Sequence, residues 1–159
     1  LRQQIHKDNS KEVKITDIMD SMRNAGINVA ANYIFGLPMD TEESMQGTLD
    51  FAMENMSEMV NLYCAMAYPG SPLHLTAKKE GWALPQTYSG YSQHSYDTLN
   101  LSNSSLTSKQ ILAFRDKAWM QYHTDPEYLK LLETKFGSVA RQNIEATTKI
   151  KLKRKLLGD

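Results

Sequence analysis

Apolar residues run almost without a break from Ile27 to Phe35, interrupted only by Asn28 and Asn32. A short run of this kind predicts a strand buried in a parallel sheet. Alternation divides it into two rows: Val29, Ala31, Tyr33 and Phe35 suit packing under helices, and Ala30, Asn32, Ile34 and Gly36 form the other. A polar Asn32 among small residues fits the lumen of a barrel better than a helix-packed face. Val60 to Ala67 reads as a second strand, with Leu62, Cys64 and Met66 in one row and Asn61, Tyr63, Ala65 and Ala67 in the other. Between them the period lengthens: Met45, Leu49, Ala52, Met53 and Met56 line one face of a helix that Asp40 or Thr41 caps, with Glu42 and Glu43 in its first turn.

The same reading extends outward. Ile15, Ile18, Met19 and Met22 form a helical face, with Thr16 as its cap and Gly26 at its end. Leu1 to Val13 is polar and without period, a linker or the end of an earlier element. Ser71, Pro72 and Gly81 bound a short helix from about Pro72 to Glu80. Strand, helix, strand, helix predicts a right-handed parallel βαβ arrangement. Trp82 to Ser105 is a long loop rich in serine, tyrosine, glycine and asparagine. Beyond it, Thr107 and Gln110 make a capping box before a helix carrying Ile111, Ala118, Trp119 and Tyr122. Asp125-Pro126-Glu127 starts another with Tyr128, Leu129, Leu132 and Phe136, closed by Gly137, and Ser138 caps a third that runs into the basic end from Lys149 to Lys155. Three regions follow: the sheet units over 1–81, the loop over 82–106 and a helical extension over 107–159.

Charge removes several functions. Lysine plus arginine number 18, as do aspartate plus glutamate, so the basic excess of a dedicated nucleic-acid binder is missing. Lys149, Lys151, Lys153, Arg154 and Lys155 therefore read as a solvated helix face. Cys64, the one cysteine, excludes an internal disulfide, and also an all-cysteine zinc or iron–sulfur site supplied by this chain alone. No stretch has the length and apolarity of a membrane span, and the first residues do not resemble a signal peptide. A soluble, cytoplasmic protein is expected. Leu1 in place of methionine reads as the start of a piece cut from a longer polypeptide.

The chemistry to look for lies where each strand meets its loop, at Gly36-Leu37-Pro38-Met39-Asp40-Thr41-Glu42-Glu43-Ser44 and at Tyr68-Pro69-Gly70-Ser71-Pro72-Leu73. Ligands of parallel α/β folds gather at the carboxyl ends of the strands. His6, His74, His94 and His123 have no metal-ligand spacing, and no serine sits in a nucleophile elbow. Cys64 reads as a small buried hydrophobe. Tyr88, Tyr91 and Tyr96 with His94 cover a barrel mouth, touch a substrate, or form an exposed connector.

The order Ala25-Gly26-Ile27, Tyr33-Ile34-Phe35-Gly36-Leu37-Pro38, Thr41-Glu42-Glu43-Ser44 and Tyr68-Pro69-Gly70-Ser71-Pro72-Leu73 resembles the second half of the radical S-adenosylmethionine (SAM) enzymes. Phe114-Arg115-Asp116-Lys117-Ala118, Tyr122, Asp125-Pro126-Glu127-Tyr128-Leu129 and Lys135-Phe136-Gly137 are similar to the tail of the subgroup that also carries a cobalamin-binding domain. The resemblance covers nearly the whole chain after about Thr16. Met39 stands where glycine is usual, Asp40 replaces a glutamate, and Asn32 replaces a small residue.

The resemblance implies the last two β/α units of a partial (β/α) barrel followed by an all-α extension. In such enzymes a [4Fe–4S] cluster on a C-x-x-x-C-x-x-C loop cleaves SAM to a 5′-deoxyadenosyl radical. That loop is not in this sequence, so the parent would be an oxidoreductase or methyltransferase and this chain alone catalytically silent. It also implies that Ile34 and Gly36, with Asn32 on their row, lie against the adenine of SAM, that Ala67 and Tyr68 approach the same base, and that cobalamin is a further cofactor. The first partner would be the upstream half of the barrel; the small-molecule substrate stays open. The alternative is a non-catalytic α/β scaffold or partner-binding module. Either way half a barrel leaves edges and apolar surface uncovered, which favours self-association.

Overall fold

The computed structural model describes residues 14–159; the segment read as a linker, Leu1 to Val13, lies outside them, as does His6. Two parallel strands, β1 (Ala30–Phe35) and β2 (Met59–Cys64), form the sheet, in a register that sets Ala30 opposite Met59 and Phe35 opposite Cys64. β1 is shorter than the apolar run because Gly26, at φ 75°, and the bond from Ile27 N–H to Met22 C=O are still closing helix α1 (Ile15–Asn24). β2 starts one residue early and ends at Cys64. Beyond it Ala65, Met66 and Ala67 are all buried, and Ala65 C=O accepts from Leu101 N–H of the long loop, so two-residue alternation is lost there.

Helix α2 (Glu42–Glu54) joins the strands. Thr41, not Asp40, is its cap: Thr41 Oγ1 accepts from Ser44 N–H and Ser44 Oγ from Thr41 N–H, a reciprocal pair that satisfies two free donors. Thr16 does not cap α1; Lys14 holds that position without a side-chain bond, and Thr16 lies inside the first turn. α3 (Pro72–Lys79) has its expected cap, Ser71 Oγ accepting from His74 N–H. Its Ala77 packs with Ala67 and Leu101 in a small separate cluster, and the helix that lies on β2 is α4 (Ser108–His123).

α4 opens on the Thr107–Gln110 box and α5 (Pro126–Phe136) on Asp125, both as the sequence predicts. α6 (Ser138–Thr147) packs on α5, but Ser138 is its first residue rather than its cap, and it ends before the basic segment. Residues 148–154 are non-helical and lead into a short 3-10 turn, Lys155–Leu157. Phe35, Leu62 and Cys64 share one core with Met45 and Leu49 of α2, Ile111 and Tyr122 of α4, and Leu132 of α5. Tyr122 Oη closes this core, accepting from Ser57 N–H and donating to Ser57 C=O just before β2. The chain is thus mixed α/β: a parallel βαβ unit with an all-α region packed on it. No helix among the described residues is long and apolar enough to cross a membrane.

Candidate functional site

The two faces of the sheet differ as alternation predicts. Tyr33 and Phe35, with Val60, Leu62 and Cys64, turn to the helices. The opposite face carries Ala30, Asn32 and Ile34 beside Met59, Asn61 and Tyr63, and no described element covers it. Ile34 is 40 % and Met59 52 % exposed. Parallel sheets ordinarily bury both faces, so an open apolar face of this kind is an unfilled contact surface. At its centre Asn61 Nδ2 donates to Asn32 Oδ1 at 2.9 Å, across directly paired positions. Both N–H groups of Asn32 Nδ2, the second N–H of Asn61 Nδ2 and the Asn61 Oδ1 acceptor remain on this exposed pair.

At the carboxyl end of β1 the chain turns sharply at Gly36, whose φ is 78°. This departs from the expected row: a Cβ on Gly36 would lie 2.6 Å from Ile111 Cγ2, so Gly36 faces α4 rather than the open face. Asp40, only 3 % exposed, locks the turn by accepting Leu37 N–H at 2.8 Å and Ser44 Oγ at 2.7 Å. Asn103 Nδ2 donates to both Leu37 C=O and Asp40 C=O at 2.9 Å, so the long loop clasps the same turn. At the end of β2, Tyr68 is exposed and its ring lies 6.1 Å from that of Tyr91. Ala67 is buried under Leu101 and α3. The structure therefore brings Asn32 and Ile34 together on the open face, places Gly36 behind them against α4, and sets Tyr68 apart from the buried Ala67. Of the loop aromatics, Tyr88 stands out in solvent and Tyr96 Oη donates to Asp159 C=O.

The sheet's edges also differ. Met59 N–H donates to Val29 C=O and Ala65 N–H to Phe35 C=O, so alternate residues of β2, Leu62 and Cys64 among them, point their backbone outward. Three of those groups are taken. Arg115 Nε donates to Leu62 C=O at 2.7 Å, while the Gln93 amide accepts Cys64 N–H and donates to Cys64 C=O, both at 3.0 Å. Gln93 thereby stands in for one residue of a further strand. On β1 the outward groups are those of Ala30, Asn32 and Ile34, and none bonds to a described residue.

Behind the closed edge lies a charge cluster that no sequence pattern announces. Asp116 accepts from Arg115 Nη1 and, at two points, from Arg154, which is fully buried and also donates to Gln93 C=O and Ser95 C=O. Burial pushes the Cys64 thiol up to about 12, against the pull of Arg115 and Arg154, so it behaves as the inert small hydrophobe expected. No group of three His, Cys, Asp or Glu side chains that could hold a metal ion occurs among the described residues.

No protein-family model matches the chain, and a search of curated proteins returned no significant match.

Proposed function

We propose that this chain is the carboxyl-terminal part of the partial barrel of a radical SAM enzyme with its all-α extension, the whole being an iron–sulfur oxidoreductase or methyltransferase. What carries the reading is the asymmetry of the sheet. β2 has the end of its outer edge, Leu62 C=O and both groups of Cys64, covered by Gln93 and Arg115, as befits a last strand, whereas the outward groups of β1 bond to no described residue and leave an edge where a preceding strand would pair. The uncovered row of Asn32, Ile34, Asn61 and Tyr63 then faces the lumen.

A [4Fe–4S] cluster does not fit the described residues, because the one thiol is buried with a pKa of about 12 and no other ligand group gathers near it. On this reading the cluster loop belongs to the upstream half. A flat purine fits the open face better. Ile34 offers an exposed apolar surface beside the turn at Gly36, and the free donor of Asn32 and free acceptor of Asn61 match the edge of a base. Tyr68 is exposed for the same ligand, while Ala67 contributes only packing beneath Leu101. Bound SAM would supply hydrogen-abstracting chemistry; this chain's part is to bind and orient its base. Cobalamin as a second cofactor rests on the resemblance of the helical tail alone.

The test is the mass of the native polypeptide, captured from its source cells with an antibody to this chain. A mass well above that of these 159 residues, with bound iron and anaerobic cleavage of SAM, is the expected result. A mass equal to the chain sinks the enzyme reading and leaves a binding module.

A further inference from the structure

The helical end builds a second concave surface, lined by no residue of the sheet. α4 supplies one wall and residues 147–152 the other, enclosing a groove of about 560 Å³. Trp119, Met120, Ile150, Leu152 and Leu157 are its apolar lining residues, and Ile150 is 68 % exposed. Apolar side chains concentrated in one recess and rimmed by polar ones mark a binding surface. The recess is anchored, because its outer wall ends at Arg154, held by Asp116, Gln93 and Ser95, and Lys155 N–H donates to Tyr96 C=O.

The groove's charge is one-sided. The Asp116 carboxylate is shared by two guanidiniums, those of Arg115 and Arg154, so the trio keeps one uncompensated positive charge. Lys117 and Lys149 line the groove, exposed, with no acidic partner among the described residues, while Lys151 is paired with Asp159. The His94 imidazole, which reaches the groove from the long loop, is held below its ordinary pKa by partial burial and then by Arg115 and Arg154, the direction a positive field imposes. The volume falls within the roughly 300–1,000 Å³ of small-molecule sites.

We propose that this groove binds a small amphipathic anion, its alkyl or aryl part along Trp119, Met120, Ile150 and Leu152 and its carboxylate at Lys117 and Lys149. A neutral apolar ligand would leave the rim unused, and a cationic one would be repelled by it. No residue of the sheet lines the site, which stands whether or not the chain belongs to a barrel.

The experiment is displacement of 8-anilinonaphthalene-1-sulfonate from the full chain by decanoate and by decyltrimethylammonium, which share a tail and differ in charge. Decanoate should compete at least about tenfold better. Lys117→Glu with Lys149→Glu should weaken decanoate about tenfold or more and erase that preference, and Ile150→Glu should abolish binding of both anions. These positions are exposed, so the fold should tolerate the changes. Equal competition by the two amphiphiles overturns the proposal without recourse to any variant. So does loss of binding in Ile34→Asn with retention in Ile150→Glu, which would place the probe on the open sheet face.

Discussion

Arg154 reaches back 38 residues to grip Asp116 at two points, Nε to Oδ2 at 3.0 Å and Nη2 to Oδ1 at 3.1 Å. This pair ties the end of the chain to α4 and, through Gln93, to the edge of β2. Arg154→Met keeps the stem but strips the buried carbonyls of Gln93 and Ser95 of their donors. We expect a loss of about 2–4 kcal/mol, somewhat under that for a wholly buried pair because Asp116 keeps Arg115 and partial solvent contact. Arg154→Lys should recover little, since one ammonium cannot reproduce the two-point grip. Urea unfolding of the three proteins measures this, and a loss below about 1 kcal/mol would contradict it.

Glu58 predicts an acid sensitivity. It is 1 % exposed; burial works to raise its carboxyl, but Val29 N–H at 2.9 Å, its own N–H and Lys135 outweigh this and hold the pKa below its ordinary 4.5. A lowered folded pKa contributes stability that is complete above 4.5 and is lost as pH falls through the folded value. Glu58→Gln keeps an acceptor for Val29 but does not titrate. Its stability should therefore change less than the parent's below pH 4.5, and parallel acid curves for the two proteins would refute the assignment.

Gly36 is constrained twice. Its φ of 78° suits only glycine well, and an added Cβ would stand 2.6 Å from Ile111 Cγ2 in the core. Gly36→Ala should cost about 2–4 kcal/mol, the backbone penalty plus overpacking. Ile111→Val in the same chain should recover part of the clash and none of the backbone penalty. If the alanine variant unfolds at the parent's urea midpoint, the turn does not have this geometry.

Cys64 offers a probe of the core. With its thiol buried and pushed up to about 12, native protein at neutral pH should react with iodoacetamide only as fast as it opens. The rate should rise with urea in step with unfolding; labelling at the speed of a free thiol in native buffer would show that the site is open.

Strand alternation made the sheet faces legible in the sequence, since a two-residue period carries Asn32 and Ile34 to one side and Tyr33 and Phe35 to the other whatever lies beyond. The Thr107–Gln110 box was equally legible, because capping is a local exchange of hydrogen bonds. What could not be read were partnerships at long range. Arg154 sits in a lysine-rich run where nothing local separates the one buried cation from its exposed neighbours. Gln93 lies in a loop without period, and its role exists only once Cys64 is beside it. An apolar stripe tells that a helix packs, not on what, so nothing in the pattern of α4 named β2 as its partner.

The edges of that sheet determine how the chain should behave when expressed alone. Among the described residues each copy has one free edge, at Ala30, Asn32 and Ile34, next to an uncovered face, and one edge capped at Leu62 and Cys64 by Arg115 and Gln93. Two copies pairing through β1 across a two-fold axis satisfy each other's free groups and leave outside only the β2 edges, capped at Leu62 and Cys64, so association should stop at a dimer. Ile34→Lys puts a charge on the contact face and should weaken that dimer at least about tenfold. Gln93→Ala frees the N–H and C=O of Cys64, giving each copy a second site for pairing, and assemblies larger than dimers should then grow with concentration. Sedimentation velocity separates the outcomes: if Gln93→Ala sediments as the parent does, α4 and Arg115 alone guard the β2 edge, and the glutamine is an anchor for the loop rather than a surrogate strand.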